Sequence, residues 1–459
     1  MEIQLNNRRT ISLNGDSIRA SKEVSPDKEK LEPTRTLPPK TWAYPEKHLK
    51  AVITDDWYSG VFRIQDCIFH ATVDYFRNTL GFNYTMLPVS TKTISAPIGE
   101  DTIALGNFGS YSAYPEKHLK AVITDDWYSG VFRIQDCIFH ATVDYFRNTL
   151  GFNYTMLPVS TKTISAPIGE DTIALGNFGS YSYPISVNLM DQNVFLADSN
   201  QFTLEYYLRI RDGSPGVYVM APCFRGDEPD ATHLNQFQHV ECELVGDMDK
   251  AIAVAEGYII NILKAVLKEE KCVVMKIAGT MEHLERVVVS YILNNNGFPR
   301  ITLDEAIDML PSDCYKLVDE LMPHRGFELT RKGERQLIAM FGGAVWVTEP
   351  DHLSVPFYQA YLDGSDRKKA KAADLLIGLG EIIGLGERQE TAQETLEALK
   401  HHDITISNYE WYVEMRRIKQ VKTSGWGLGS ERLISWILQH NDVRDIQILP
   451  RFKDNDFLV

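Results

Sequence analysis

The chain is expected to fold as an α+β protein, an antiparallel sheet flanked by helices. Three observations predict this. Short strand-like runs, such as 194–196 and 217–220, are separated by long connections and not by strict βαβ alternation. Between later runs, Ile252, Ile259, Ile262, Leu263 and Val266 recur at the spacing of one helix face. Near the end, Gly425-Trp426-Gly427-Leu428-Gly429-Ser430-Glu431-Arg432 reads as a strand that turns into a helix.

Composition narrows the class. The 459 residues carry 47 basic and 62 acidic side chains, a formal net charge of −15. A length of this order usually means two or three domains. No apolar run reaches the roughly 18 residues that span a bilayer, and the first residues hold no apolar stretch of a secretory signal. Six cysteines without a CxxC pair fit a reducing cytoplasm. The acidic balance argues against a broad basic surface for nucleic acid and leaves room for a local basic patch.

Residues 1–42 are polar, carry Pro26, Pro33, Pro38 and Pro39, and show no sustained apolar period. They are expected to form an arm with little fixed structure. Residues 43–112 and 113–182 are then the same 70-residue string without one substitution. Solenoid repeats keep a pattern and let exposed positions drift. Identity at every position points to a recent tandem duplication or an assembly error, and the non-redundant length is 459 − 70 = 389 residues. The expected division is an arm over 1–42, a surplus copy over 43–112 and a catalytic domain over 113–459.

The second copy is continuous with the remainder of the chain, so it is expected to supply the working elements. In it, Ile134, Ile138, Ala141 and Tyr145 recur at helical spacing, Gly151 stops the helix, and 152–157 reads as a strand ending at Pro158. Further on, 252–266 is an amphipathic helix, 300–310 and 331–341 are short helices, 345–348 and 357–362 are strands, and 433–438 is a buried helix.

Three clusters carry chemistry. In the first, the glycines of GWGLGSER let a strand backbone approach a flat ligand, and Arg432 can lie over a purine ring or meet a phosphate. The spacing is not that of a dinucleotide fingerprint. In the second, Cys223-Phe224-Arg225-Gly226-Asp227-Glu228 and His233-Leu234-Asn235-Gln236-Phe237 read as a hairpin loop. Strand alternation then puts Phe237, Glu241 and Glu243 on one face. An arginine, an aromatic ring and two carboxylates there could hold a phosphate, a base and an amino group; a solvated hairpin with a charge ladder is the plain alternative. In the third, Asp374 and Glu381, within a glycine-rich apolar stretch, suit a divalent cation on a triphosphate, or Glu381 is a buried cap.

Taken together, the order and spacing of these clusters resemble the catalytic domain of class II aminoacyl-tRNA synthetases, in the aspartate, asparagine and lysine subgroup and closest to the asparaginyl type. GWGLGSER resembles motif 3 of that family, CFRGDE with HLNQF motif 2, and Gly151-Phe152 with Pro158 motif 1. The similarity runs from about residue 130 to 455. It implies activation of an amino acid by ATP to an aminoacyl-adenylate, with Mg²⁺, in a cytoplasmic homodimer joined through motif 1. By that match, Arg225 and Arg432 are catalytic and hold the α-phosphate and adenine. Glu228, His233, Phe237, Glu381, Arg388, Gly427 and Gly429 complete the ATP site, Glu381 and Asp374 take the metal, and Ser199, Gln201, Glu205, Glu241 and Arg417 line the amino-acid pocket.

The same match bears on the substrate. Aspartate-specific members place a lysine where this chain has Leu204 and an aspartate where it has Glu241, so the resemblance implies asparagine. The chain departs from the family pattern at Thr232, at Gln236, in a motif 2 loop one residue shorter, and at Val421-Lys422-Thr423-Ser424 before motif 3. Nothing ahead of the second copy resembles the family's anticodon-binding OB barrel. An alternative is therefore a stand-alone asparagine synthetase that transfers activated aspartate to ammonia or another small amine. A third reading is a non-catalytic binding module, against which the retention of Arg225, Glu381, Arg388 and Arg432 speaks.

Overall fold

The computed structural model describes residues 2–5 and 9–12 as backbone, and residues 38–39, 41, 44–86, 120–165 and 183–450. The chain divides into two units, Met1–Pro38 and Pro39–Val459. In the first, β1 (Glu2–Leu5) pairs antiparallel with β2 (Arg9–Ser12). Within the expected arm of little fixed structure, this short hairpin falls where Ile3 and Leu5 alternate with polar residues, a run too short to register as a sustained period. Pro26, Pro33 and most of the arm lie outside the described residues.

The second unit opens with the first copy, which forms α1 (Pro45–Thr54) and α2 (Asp56–Asp74); the second copy forms α3 (Asp126–Val143). Asp55 and Asp125 cap α2 and α3 in the same way, each accepting from the backbone N–H two residues on at 2.8 Å. Each helix ends in a wide π turn, Tyr75–Thr79 and Asp144–Thr149. Gly81 and Gly151 stop the turns at φ +67°, a conformation that a Cβ disfavours. The strand β3 (Asn153–Tyr154) is shorter than the expected 152–157, because only these residues find a ladder partner at the sheet edge.

A small three-stranded sheet comes next, β4 (Ser160–Thr161), β5 (Ser186–Leu189) and β6 (Gln192–Leu196). Then come α4 (Gln201–Ile210), β7 (Gly216–Phe224), β8 (Gln236–Val245) and the long α5 (Met248–Glu269). Two helices that the apolar pattern did not announce, α6 (Lys271–Ala278) and α7 (Glu282–Leu293), pack beside α5. Beyond β9 (Arg300–Thr302) and α8 (Leu303–Met309), a hairpin of β10 (Tyr315–Leu317) and β11 (Phe327–Leu329) leads into α9 (Arg331–Met340). The rest is β12 (Ala344–Thr348), β13 (Ala372–Ile377), β14 (Gly380–Glu387), α10 (Ala392–His401), α11 (Glu410–Ile418), β15 (Thr423–Gly429) and α12 (Ser430–Ile437).

Residues 357–362, expected as a strand, form turns with single bridges at Gln359 and Tyr361. Their apolar character comes from packing: Phe357 and Tyr358 join Phe202, Tyr409 and Tyr412 in one buried cluster.

The main sheet has eight strands in the order β3-β7-β8-β15-β14-β13-β12-β9. Its centre is antiparallel, as expected, while β3 on β7 and β9 on β12 are parallel at the two edges. One face packs on α3 and α5, where Ile134, Ile138, Phe146, Tyr258, Ile259 and Trp426 share a core. Among the described residues no helix is long and apolar enough to cross a membrane.

Candidate active site

The opposite face of the sheet carries the chemistry. Alternation along β8 sends Val240, Cys242 and Leu244 into the core and Phe237, His239, Glu241 and Glu243 to the other side. On β15, Gly427 lies across from Glu241 and Gly425 across from Glu243, with Trp426 between them facing the core. A Cβ on Gly425 would collide with Glu243 Oε2 and with the Cys242 carbonyl oxygen. The space at Gly425 is therefore filled by a buried carboxylate, whereas Gly427, where a Cβ would lie 3.1 Å from the His239 ring, and Gly429 border an open space.

That space is a cavity of about 690 Å³, lined by Arg225, His233, Phe237, Glu381, Gly427, Gly429 and Arg432 among others. Arg225 leaves the end of β7 and sets its guanidinium 5.3 Å from the centroid of the Phe237 ring. Its Nε is buried and has no hydrogen-bond partner among the described residues. Arg432, in the first turn of α12, donates from Nε to the Thr232 carbonyl at 3.2 Å and from Nη1 to the Glu381 carbonyl at 2.7 Å. Burial lowers the Arg432 pKa, and the charges of Arg331 and Arg225 add to this. Converging guanidinium groups of this kind favour a polyanion between them. His233 sits 3.1 Å from Asp230; burial, then the charge of Arg432, lowers its pKa.

An acidic group faces these arginines. Asp374 on β13 lies beside Glu381 on β14 and Glu334 on α9. Asp374 keeps solvent access although protein crowds it; that partial desolvation, then the like charges of Glu381 and Glu334, raise its carboxyl well above the ordinary range. Burial, with Glu381 beside it, raises Glu334 to about 7. Carboxyls that repel one another fit a divalent cation. Their oxygens do not form a closed cage within 4.8 Å of one another, so the residues fit an ion shared with substrate phosphates.

Behind the cavity lies a buried polar group, joined to it through His239. His239 lines the cavity and its Nδ1 is 3.3 Å from Glu241 Oε1. Glu241 also accepts from Ser199 Oγ, and from the backbone N–H and Nδ2 of Asn200 at 2.8 and 2.9 Å. Burial raises the Glu241 carboxyl, but these partners outweigh it and hold the group below its ordinary value. One turn along α4, Glu205 accepts from Gln201 Nε2 at 3.1 Å, Tyr412 Oη at 2.6 Å and Arg416 Nη2 at 2.6 Å.

Three expected residues fall elsewhere. Arg417 is exposed and pairs with Glu414 at 3.1 Å, whereas the buried arginine is Arg416. Successive helical residues differ by about 100° in direction, so one step reverses the environment. Arg388 does not line the cavity: its Nε and Nη2 donate to Glu243, at 2.9 Å for Nη2, and Nη1 donates to Gln359 Oε1 at 3.0 Å. Burial pulls the Arg388 pKa down, but the Glu243 carboxylate more than offsets it. Glu228 is exposed on the loop after β7 and does not line the cavity. The residues missed are His239, Arg331 and Glu334. Arg331 and Glu334 open the helix expected at 331–341, so an Arg-x-x-Glu start to that helix was a usable signal.

The family described as tRNA synthetases class II (D, K and N) matches residues 114–453. The chain belongs to this family. Among relatives of this synthetase, an asparagine–tRNA ligase of Clostridium tetani (strain Massachusetts / E88) is 30% identical over 340 residues, covering 71% of this chain and 70% of the relative. A probable asparagine–tRNA ligase, cytoplasmic, of Encephalitozoon cuniculi is 28% identical over 268 residues, 57% of this chain and 56% of that one. The asparaginyl-tRNA synthetase from Pyrococcus horikoshii, solved in complex with asparaginyl-adenylate, shares the fold, with a TM-score of 0.62 at 23% identity over 76% of this chain and 74% of that chain. The synthetase core thus has the antiparallel centre and flanking helices expected of the class.

Proposed function

We propose that the synthetase activates asparagine with ATP and transfers it to tRNA. One observation carries this reading: a cavity with converging Arg225, Arg331 and Arg432 opens through His239 onto the buried Ser199–Glu241 group. A nucleoside triphosphate and a small amino acid can meet at that junction. In the first step a carboxylate oxygen of the amino acid attacks the α-phosphorus. The bond from the α-phosphorus to the bridging oxygen breaks, and pyrophosphate leaves with the electron pair. In the second step an acceptor hydroxyl attacks the activated carbonyl and AMP leaves.

The protein's part is positioning and charge. Arg225, whose Nε has no partner among the described residues, holds the α-phosphate, and Phe237 and Arg432 close over the adenine. Glu381 and Asp374 would hold Mg²⁺, which would neutralise triphosphate charge. Ionised Glu241 accepts from the side-chain amide of asparagine; a β-carboxylate there would meet a like charge. The names of the relatives support tRNA over ammonia as the acceptor, and the Encephalitozoon name supports a cytoplasmic location.

ATP–pyrophosphate exchange with a panel of amino acids, and then charging of tRNA, tests the proposal. Exchange is expected with asparagine and transfer with tRNA. Faster exchange with aspartate, and product formed only when ammonia is added, would overturn it.

A further inference from the structure

The two identical copies touch each other, and they do so reciprocally. Asp66 Oδ1 accepts from the Tyr154 backbone N–H at 2.7 Å, and Asp136 Oδ1 accepts from that of Tyr84 at 2.6 Å. The Phe69 ring stacks on Tyr154 with centroids 3.4 Å apart, and Phe139 stacks on Tyr84 at 3.5 Å. Position 66 corresponds to 136, 69 to 139 and 84 to 154, so each of these contacts is matched by its counterpart with the copies exchanged, while Asn153–Asp66 and Arg77–Asp144 are made on one side only. Contacts in which i meets j while the other j meets the other i define an isologous, two-fold interface. Such an interface normally relates two chains. Here both halves lie in one polypeptide.

Burial shows what the axis leaves out. Ile53 of the first copy packs with Phe202, Tyr412 and Met415 of the catalytic body and is 6% exposed, whereas its counterpart Ile123 is 74% exposed. The reverse holds on the other face of the copies. Ile134 and Phe152 pack in the catalytic core at 0% and 4% exposure, while their counterparts Ile64 and Phe82 are 62% and 57% exposed. The assembly is therefore a two-fold pair with one catalytic body missing. The first copy spends its interface face and leaves bare the face that a body of its own would cover.

We propose that residues 44–86 occupy, in cis, the seat that the same segment of a second chain would take. The full chain satisfies its two-fold contact internally and is a monomer. A chain with a single copy makes the same contact only by pairing with a second copy of itself. The seat matters to the site: Asp66 braces β3 through Asn153 Nδ2 at 3.0 Å, and Phe62 packs on Leu204 and Leu208 of α4, the helix that carries Gln201 and Glu205.

Analytical ultracentrifugation of the full chain and of a variant lacking 43–112 tests this. The full chain is expected at 52.2 kDa, and the shortened one at twice its own 459 − 70 = 389-residue mass at micromolar concentration. A dimeric full chain, or a folded shortened chain that stays monomeric, would overturn the proposal. Should the shortened chain fail to fold, the full chain with Asp66→Lys and Tyr84→Ala decides. Those changes remove the carboxylate that accepts from the Tyr154 N–H and the ring that stacks on Phe139, and leave the second copy's sequence intact. Release of 44–86 to proteolysis together with a doubling of mass is expected; a monomer with 44–86 still protected would refute it.

Discussion

At the scale of single residues, the site separates charges that act on substrate from charges that hold the scaffold. Arg225 is the clearest of the first kind, because its buried Nε has no partner among the described residues. Arg225→Ala is expected to slow ATP–pyrophosphate exchange by ~10²–10³, the usual cost of a lost charge stabiliser. A near-normal rate would remove Arg225 from the mechanism. Arg416 is of the second kind. Its removal strands the buried Glu205 carboxylate, so Arg416→Ala is expected to destabilise by about 3–5 kcal/mol. Arg417→Ala, on the exposed side of the same helix, is expected to stay within about 0.5 kcal/mol. Chemical denaturation of both variants would measure the contrast. Residue type and order made Arg225, Arg432, Phe237 and Glu381 legible in the sequence. The choice between adjacent Arg416 and Arg417 was not, because it depends on the phase of α11 against α4. Arg388 was misplaced for a related reason: nothing local says that Glu243, on a strand two positions away in the sheet, captures it.

At the scale of elements, the β15–β8 pair shows why motif glycines are not interchangeable. Gly425 has no room for a Cβ beside Glu243, and Gly425→Ala is expected to cost about 1–3 kcal/mol as an overpacking change. Loss of stability without a comparable change in asparagine KM is the expected pattern, read by thermal unfolding and exchange kinetics. An unchanged Tm would show that the Glu243–Arg388 pair simply moves. Strongly apolar elements were readable, α5 through its one buried face and β7 through a run in which Val217, Tyr218 and Val219 are all buried. The edge strand β3 was over-extended because its apolar residues continue beyond the ladder. The turns at 357–362 were mistaken for a strand because their aromatic residues fill a cluster and not a pleat.

At the scale of the whole molecule, buried titratable groups set the response to acid. His352 donates from Nε2 to the Gln359 carbonyl at 2.8 Å and approaches His402 with Nδ1 at 2.8 Å. Burial, with the nearby His401 charge, pushes its pKa down to about 4 from 6.5. The unfolded chain therefore binds a proton that the folded chain refuses. This contribution is fully present above pH 6.5 and is lost as pH falls towards about 4, a difference of up to about 3 kcal/mol. His352→Gln removes that titration, so the stability gap between wild type and variant is expected to shift by this amount across the window. Urea denaturation at several pH values would measure it, and a gap independent of pH would reject the assignment.

The sequence alone determined the periodic elements, the order of the motifs and the existence of two identical 70-residue copies. It could not determine what each copy does. Ile64 and Ile134 stand in the same local string, with the same helix propensity and the same neighbours for many residues on either side. One is exposed and the other is fully buried. Local structure depends on local sequence, so both copies make the same capped helix and the same glycine stop. Burial depends on what distant parts of the chain bring alongside, and only the second copy is continuous with the body that covers its apolar face. That difference, which no reading of identical strings can yield, is what the tertiary structure decided.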